Sequence, residues 1–155
     1  MKACSCLFAS TRKIVIPENK DAKFLFIADQ PWLIDRVLKK PFVSNEGALI
    51  KQMALSIGIE LKECVFTYTV LCRSVNESIE PAHIFACTVN IPDNAFKGVI
   101  LLGGIAEKYY KNRFPGVPKL TMTNPEVIVK KGGKVSSLYI DNLNKLERFY
   151  ADIKP

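Results

Sequence analysis

Two pentapeptides constrain this chain more than any other feature: Phe24–Ala28, FLFIA, and Gly98–Leu102, GVILL. Neither alternates apolar with polar residues. A strand with one face in water alternates, whereas a strand covered on both faces reads as a continuous apolar run. The pattern predicts a parallel sheet buried between layers of helices. Around these runs the chain alternates element types. Residues 45–59 place Leu49, Ile50, Met53, Ala54 and Ile57 at helical spacing, with Ser44 or Asn45 as the N-cap. Residues 64–72, CVFTYTVLC, are β-branched and aromatic and predict a strand. Residues 13–17, KIVIP, are a short strand candidate, followed by a polar turn. The stretch 74–94 predicts a loop with a short helix, and 105–114 a helix. Residues 119–126, KLTMTNPE, predict a strand leaving into a polar loop, and 137–141, SLYID, a last short strand. An amphipathic helix over 142–153 closes the chain.

The expected class is therefore α/β: a three-layer sandwich with a central, mostly parallel sheet of four to five strands. With 155 residues, a single domain spanning 1–155 is expected. Hydrophobic residues make up 48% and charged residues 24%, which is globular composition and excludes a disordered chain. There is no internal repeat and no low-complexity segment. No apolar run approaches the roughly 18 residues of a membrane span, and the start, MKACSCLFAS, is too short a patch for a secretory signal. A cytoplasmic, membrane-free monomer is expected, whether bacterial, archaeal or viral in a host cytoplasm. The net charge of +7 favours a polyanionic partner. Five cysteines, an odd number in a chain without a secretory signal, argue against a disulfide framework. No Walker or dinucleotide glycine pattern is present, so a phosphate-ligand enzyme of those kinds has no motif support.

Ligands of open α/β sheets sit outside the carboxyl ends of the strands. Three such ends carry polar residues: Asp29-Gln30-Pro31, Cys72-Arg73 and Thr123-Asn124-Pro125. In that order, with ADQPWLIDRVLKKPFVSNEGALI, TYTVLCR, GVILLGGIAEKYY and TMTNPEVIV, the chain resembles the uracil-DNA glycosylase superfamily, most of all its family 4 iron-sulfur branch. That branch runs Gly-Glu-Ala-Pro-Gly, an acidic residue, then Gly-Arg-Pro-Phe-Val-Gly. Here Asp29 stands at the glutamate, Pro31 at the proline, Asp35 at the second acidic residue and Phe42 at the phenylalanine on which the flipped base stacks. The resemblance covers most of the chain and implies a uracil-DNA glycosylase-like fold.

It also implies roles. A glycosylase extrudes a base, holds it between apolar faces and stabilises the charge that separates as the bond breaks. Asp29 and Asp35 would position water or stabilise the sugar, Asn124 would support the leaving base, and Gln30, Trp32, Phe42 and Tyr68 would contact the base. Lys39, Lys40, Arg73, Lys130 and Lys131 would track phosphates. Each has a plainer reading. Asp29 would be a helix N-cap or turn carboxylate, and Asp35 a solvated loop residue. Phe42 would be a core aromatic, Tyr68 a strand tyrosine, Asn124 a turn former and the lysines a solvated face. The chain departs from the family where the chemistry lies. Asp29 replaces glutamate, Tyr68 the asparagine that reads uracil, Asn124 the usual histidine, and Trp32 a glycine beside the pocket. An asparagine before this proline does occur in the mismatch-specific branch. Two large aromatics, Trp32 and Tyr68, leave little room for a base.

Family 4 proteins hold a 4Fe-4S cluster through four cysteines. Cys72 lies in the Cys-Arg pair, Cys87 follows with fourteen residues between, and Cys6 lies six before Arg12. Cys4 is displaced, with one residue before Cys6 where the family has two. The resemblance thus implies Cys4, Cys6, Cys72 and Cys87 as thiolate ligands of a 4Fe-4S cluster; zinc in the same site is the alternative. Cys64 is the extra thiol, expected to be buried and inert. Two functions are expected from this set. One is a DNA glycosylase with base preference altered from uracil. The other is a non-catalytic homologue that binds nucleic acid or a repair or replication partner.

Overall fold

In a computed structural model the structure describes residues 13–72 and 79–153. Four strands form one sheet in the order β2-β1-β3-β4: β1 Phe24–Ala28, β2 Cys64–Tyr68, β3 Gly98–Leu102 and β4 Lys119–Met122. Every pairing is parallel, with Phe26 opposite Phe66 on one side and Ile100 on the other. The central strands β1 and β3 are buried at every position, as their unbroken apolar runs require, and so is their neighbour β2. Edge strand β4 is only partly buried.

Six α-helices are described: α1 Leu33–Leu38, α2 Asn45–Ser56, α3 Pro81–Cys87, α4 Gly104–Tyr110, α5 Pro125–Lys130 and α6 Ser137–Ile153. Side chains alternate across the sheet, so each strand feeds two cores. Phe24, Phe26 and Ala28 point to a core completed by α2, α5 and α6 through Ile50, Met53, Ile128 and Leu146. Leu25 and Ile27 point the other way, to Ala106 and Tyr110 of α4. Helices on both faces are compatible with a three-layer sandwich. Truncating a residue such as Phe26 to alanine in so closed a core costs about 3–5 kcal/mol.

Four expectations are corrected. Residues 13–17 form no strand: Ile14 is buried, but its N–H donates to Leu71 O at 2.9 Å and that of Val15 to Lys39 O at 3.3 Å, outside the sheet. Strand β2 stops at Tyr68: Thr69 N–H still donates to Ala28 O at 2.9 Å, but beyond it the chain leaves the sheet and Leu71 O accepts the Ile14 N–H. Residues 137–141 are not a strand but the first turn of α6, whose apolar residues continue at helical spacing to Leu146. The loops after Pro31 and Asn124 contain helices α1 and α5.

Helix α1 is inverted. Its charged residues Asp35 and Arg36 are buried, whereas Leu33, Ile34, Val37 and Leu38 are exposed. Among the described residues, no helix is long and apolar enough to cross a membrane.

Candidate functional site

The carboxyl ends of β1, β3 and β4 converge on Asp29, which is 9% exposed. Its Oδ1 accepts the Ala106 N–H at 2.7 Å, at the start of α4. Its backbone oxygen accepts the Thr69 hydroxyl, which ties the end of β1 to the chain leaving β2. Gly103 makes this approach possible: at φ 125, a Cβ there would stand 2.4 Å from Asp29 Oδ2. Burial raises the Asp29 pKa, with the backbone N–H groups of Ala106 and Ile105 and the Asn124 amide pulling the other way.

Asn124 reaches the same carboxylate from β4, its Nδ2 lying 3.5 Å from Asp29 Oδ2. Its Oδ1 accepts the Glu126 N–H at 2.9 Å, so it is also the N-cap of α5 with Pro125 behind it. Asn142 of α6 fixes the preceding residue, accepting the Thr123 N–H at 3.0 Å and donating to Thr123 Oγ1 at 3.1 Å. The structure thus brings Asp29 and Asn124 together; Asn124 is a helix N-cap, whereas Asp29 accepts an N–H of α4 from the end of β1.

Asp35 is not a solvated loop residue. It is fully buried and its carboxylate is surrounded by donors. Oδ1 accepts the N–H groups of Val43 and Ser44, each at 2.8 Å, and Oδ2 accepts the Tyr68 hydroxyl. The Tyr68 oxygen in turn accepts the Phe42 N–H at 2.8 Å. Three successive backbone N–H groups therefore close on one Tyr-Asp pair, an arrangement suited to a buried anion. Phe42 is held at φ 54, a conformation costly for an aromatic residue, because its own N–H and the next two are all engaged. With every oxygen bonded and no access to water, Asp35 can anchor the loop but has no open face toward a substrate.

The slot expected to receive a base is filled. The Phe42 ring is 1% exposed and packs on Trp32, Phe66 and Tyr68 at centroid distances of 5.4, 5.0 and 5.2 Å. Trp32 also meets Tyr68 edge-on at 5.8 Å. Gly47 sits under the loop, where a Cβ would come within 2.4 Å of Phe42 Cα. Burial first, and then the charge of Asp35, push the Tyr68 phenol far above its ordinary range. Outside this aromatic wall lies an open cleft of about 510 Å³, lined by Gln30, Trp32 and Arg36 with the start of α2 and Glu126. Arg36 was not anticipated as a site residue; it follows Asp35 in a stretch that reads as a loop.

Lys39, Lys40, Lys130 and Lys131 are exposed. Lys130 pairs with Glu126 at 3.1 Å. Arg73, Cys4 and Cys6 lie outside the described residues. Cys72 and Cys87 are both buried. As thiols they are suitable iron-sulfur ligands, but no group of three metal-ligating side chains occurs among the described residues. Cys64 is buried on β2: its thiol donates to Glu60 O at 3.5 Å, and burial, helped by the charge of Glu63, pushes its pKa up to about 12. Compared with known proteins, the chain matches no protein-family model and no curated protein sequence.

Proposed function

We propose that this chain is a glycosylase-like DNA-binding protein whose base slot is closed by its own aromatic side chains. The observation that carries the reading is Tyr68. It stands where the resembled family reads uracil, and its hydroxyl is bound between Asp35 and the Phe42 N–H. A base could reach Phe42 only by displacing Trp32 and breaking this pair. The net charge of +7 and the exposed Lys39, Lys40 and Lys131 support a polyanionic partner. A 4Fe-4S cluster on Cys4, Cys6, Cys72 and Cys87 belongs to the same proposal and would tie the N-terminal segment to the middle of the chain.

A hydrolytic glycosylase is the second reading, and the adjacency of Asp29 and Asn124 favours it. A buried carboxyl with a raised pKa beside an amide donor, at converging strand ends, is a recognisable catalytic arrangement. One experiment separates the two. The protein is incubated with labelled DNA containing uracil, hypoxanthine, hydroxymethyluracil or ethenocytosine and then treated with alkali. The proposal expects no cleavage at any base, with binding that weakens steeply as salt rises. Cleavage that disappears in Asp29→Asn establishes the enzyme instead.

A further inference from the structure

Arg36 is 6% exposed, and its Nε is buried without a hydrogen-bond partner. Among the described residues its guanidinium forms no ion pair. Its neighbour Asp35 makes no ion pair with it, and the Asp35 oxygens accept instead from Val43, Ser44 and Tyr68. A buried guanidinium nitrogen without a partner is unfavourable, and a cation held at a cleft wall without an ion pair is open to one of opposite charge. The side chain lines the cleft of about 510 Å³.

The same cleft holds the first turn of α2, a helix of twelve residues. Ser44 Oγ accepts the Gly47 N–H and Ser44 O the Ala48 N–H. The amides of Asn45 and Glu46 make no hydrogen bond among the described residues. They are the donors a helix start offers an anion. Two carboxylates stand at the rim. Glu126 is neutralised by Lys130, whereas Glu46 remains an opposing charge. Glu46 repels any phosphate, a doubly charged one about twice as strongly as a singly charged one, which favours the latter. Gln30 and the Trp32 ring add an amide and an aromatic edge for the groups that flank it.

We propose that this cleft binds a phosphodiester, with Arg36 as its charge partner and the α2 amides as further donors. That the phosphodiester belongs to a DNA strand rests on the function proposed above; the site itself does not. Trp32 is the sole tryptophan of the chain and lines the cleft, so its emission reports occupancy. The full chain is titrated at constant ionic strength with the dithymidine phosphodiester, with thymidine and with inorganic phosphate. A saturable emission change is expected for the dinucleotide, about tenfold weaker for thymidine and for inorganic phosphate. Arg36→Met should lose about tenfold or more in dinucleotide affinity, while Arg36→Lys keeps part of it. Without ligand, Arg36→Met should melt at or near the wild-type temperature, since the buried Nε that has no partner is gone. Should that variant not fold, the wild-type melting temperature decides: it must rise with the dinucleotide and not with chloride at equal ionic strength. No saturable response in the wild type, or equal affinity in Arg36→Met, overturns the site. Oligonucleotide binding that persists unchanged in Arg36→Met overturns the site and leaves the DNA-binding reading standing. Dinucleotide binding without any oligonucleotide binding supports the site and overturns that reading.

Discussion

The Tyr68 hydroxyl donates to the buried Asp35 carboxylate and accepts the Phe42 N–H at 2.8 Å, so one phenol joins β2, α1 and the Pro41-Phe42 turn. Removing it strands a buried charge and a buried N–H together. Tyr68→Phe is expected to lose about 3 kcal/mol, more than an ordinary hydrogen bond, because both partners stay desolvated. In a cycle with Asp35→Asn, measured by urea denaturation, the coupling should be about 1–3 kcal/mol. Additive effects would show that the two residues act separately.

The same turn makes a prediction about glycine. Gly47→Ala drives a Cβ to within 2.4 Å of Phe42 Cα, which is backbone and cannot swing aside. A loss of about 2–3 kcal/mol is expected, as for overpacking of a closed core. Gly104→Ala is the control, since nothing lies within 4 Å of its added carbon. There, at the first turn of α4, a gain of about 0.5 kcal/mol is expected from the lower entropy of the unfolded chain. Thermal melts of the two variants should move in opposite directions.

Much of this fold was legible because the central strands β1 and β3 carry no polar residue to confuse the reading. Phe24–Ala28 and Gly98–Leu102 could only be covered on both faces, and they are. Helix α1 was not legible. It has six residues, too few for a periodicity, and it turns Asp35 and Arg36 inward. Only the donors on a distant turn and on β2 make the Asp35 side of that inversion stable, and no local pattern records them. Helix α5 did leave a signal: Asn124 as N-cap, Pro125 at the first position and Glu126 behind it spell a helix start. The Asp29–Asn124 pair was foreshadowed by two strand ends, whereas the closed slot depended on how four aromatic rings pack.

Asp29 predicts a pH dependence. Burial raises its folded pKa above the ordinary 3.8. A group raised in this way contributes stability that is complete below the unfolded pKa and lost as pH rises through the folded one. From about pH 4 upward the wild type should therefore lose stability relative to Asp29→Asn, which cannot ionise. Urea denaturation of both proteins from about pH 4 to 7 measures the difference. A wild type that gains on the variant over this range would mean that the Ala106, Ile105 and Asn124 donors outweigh burial.

Cys64 provides the internal control for the iron-sulfur proposal. Its thiol is buried, donates to Glu60 O at 3.5 Å and is held protonated with a pKa near 12. A ligand must be a thiolate. Cys64 lies outside the four positions assigned to the cluster, and its stability contribution is of the raised kind, complete below the ordinary thiol value of 9.0 and lost as pH climbs through about 12. After anaerobic reconstitution with iron and sulfide, visible absorbance should appear in the wild type and in Cys64→Ala, and disappear in Cys72→Ala and Cys87→Ala. In the native protein a thiol reagent at about pH 8 should leave Cys64 unlabelled, because both access and thiolate are missing. Iron lost equally in Cys64→Ala would place a ligand on β2, and the four-cysteine assignment would fall.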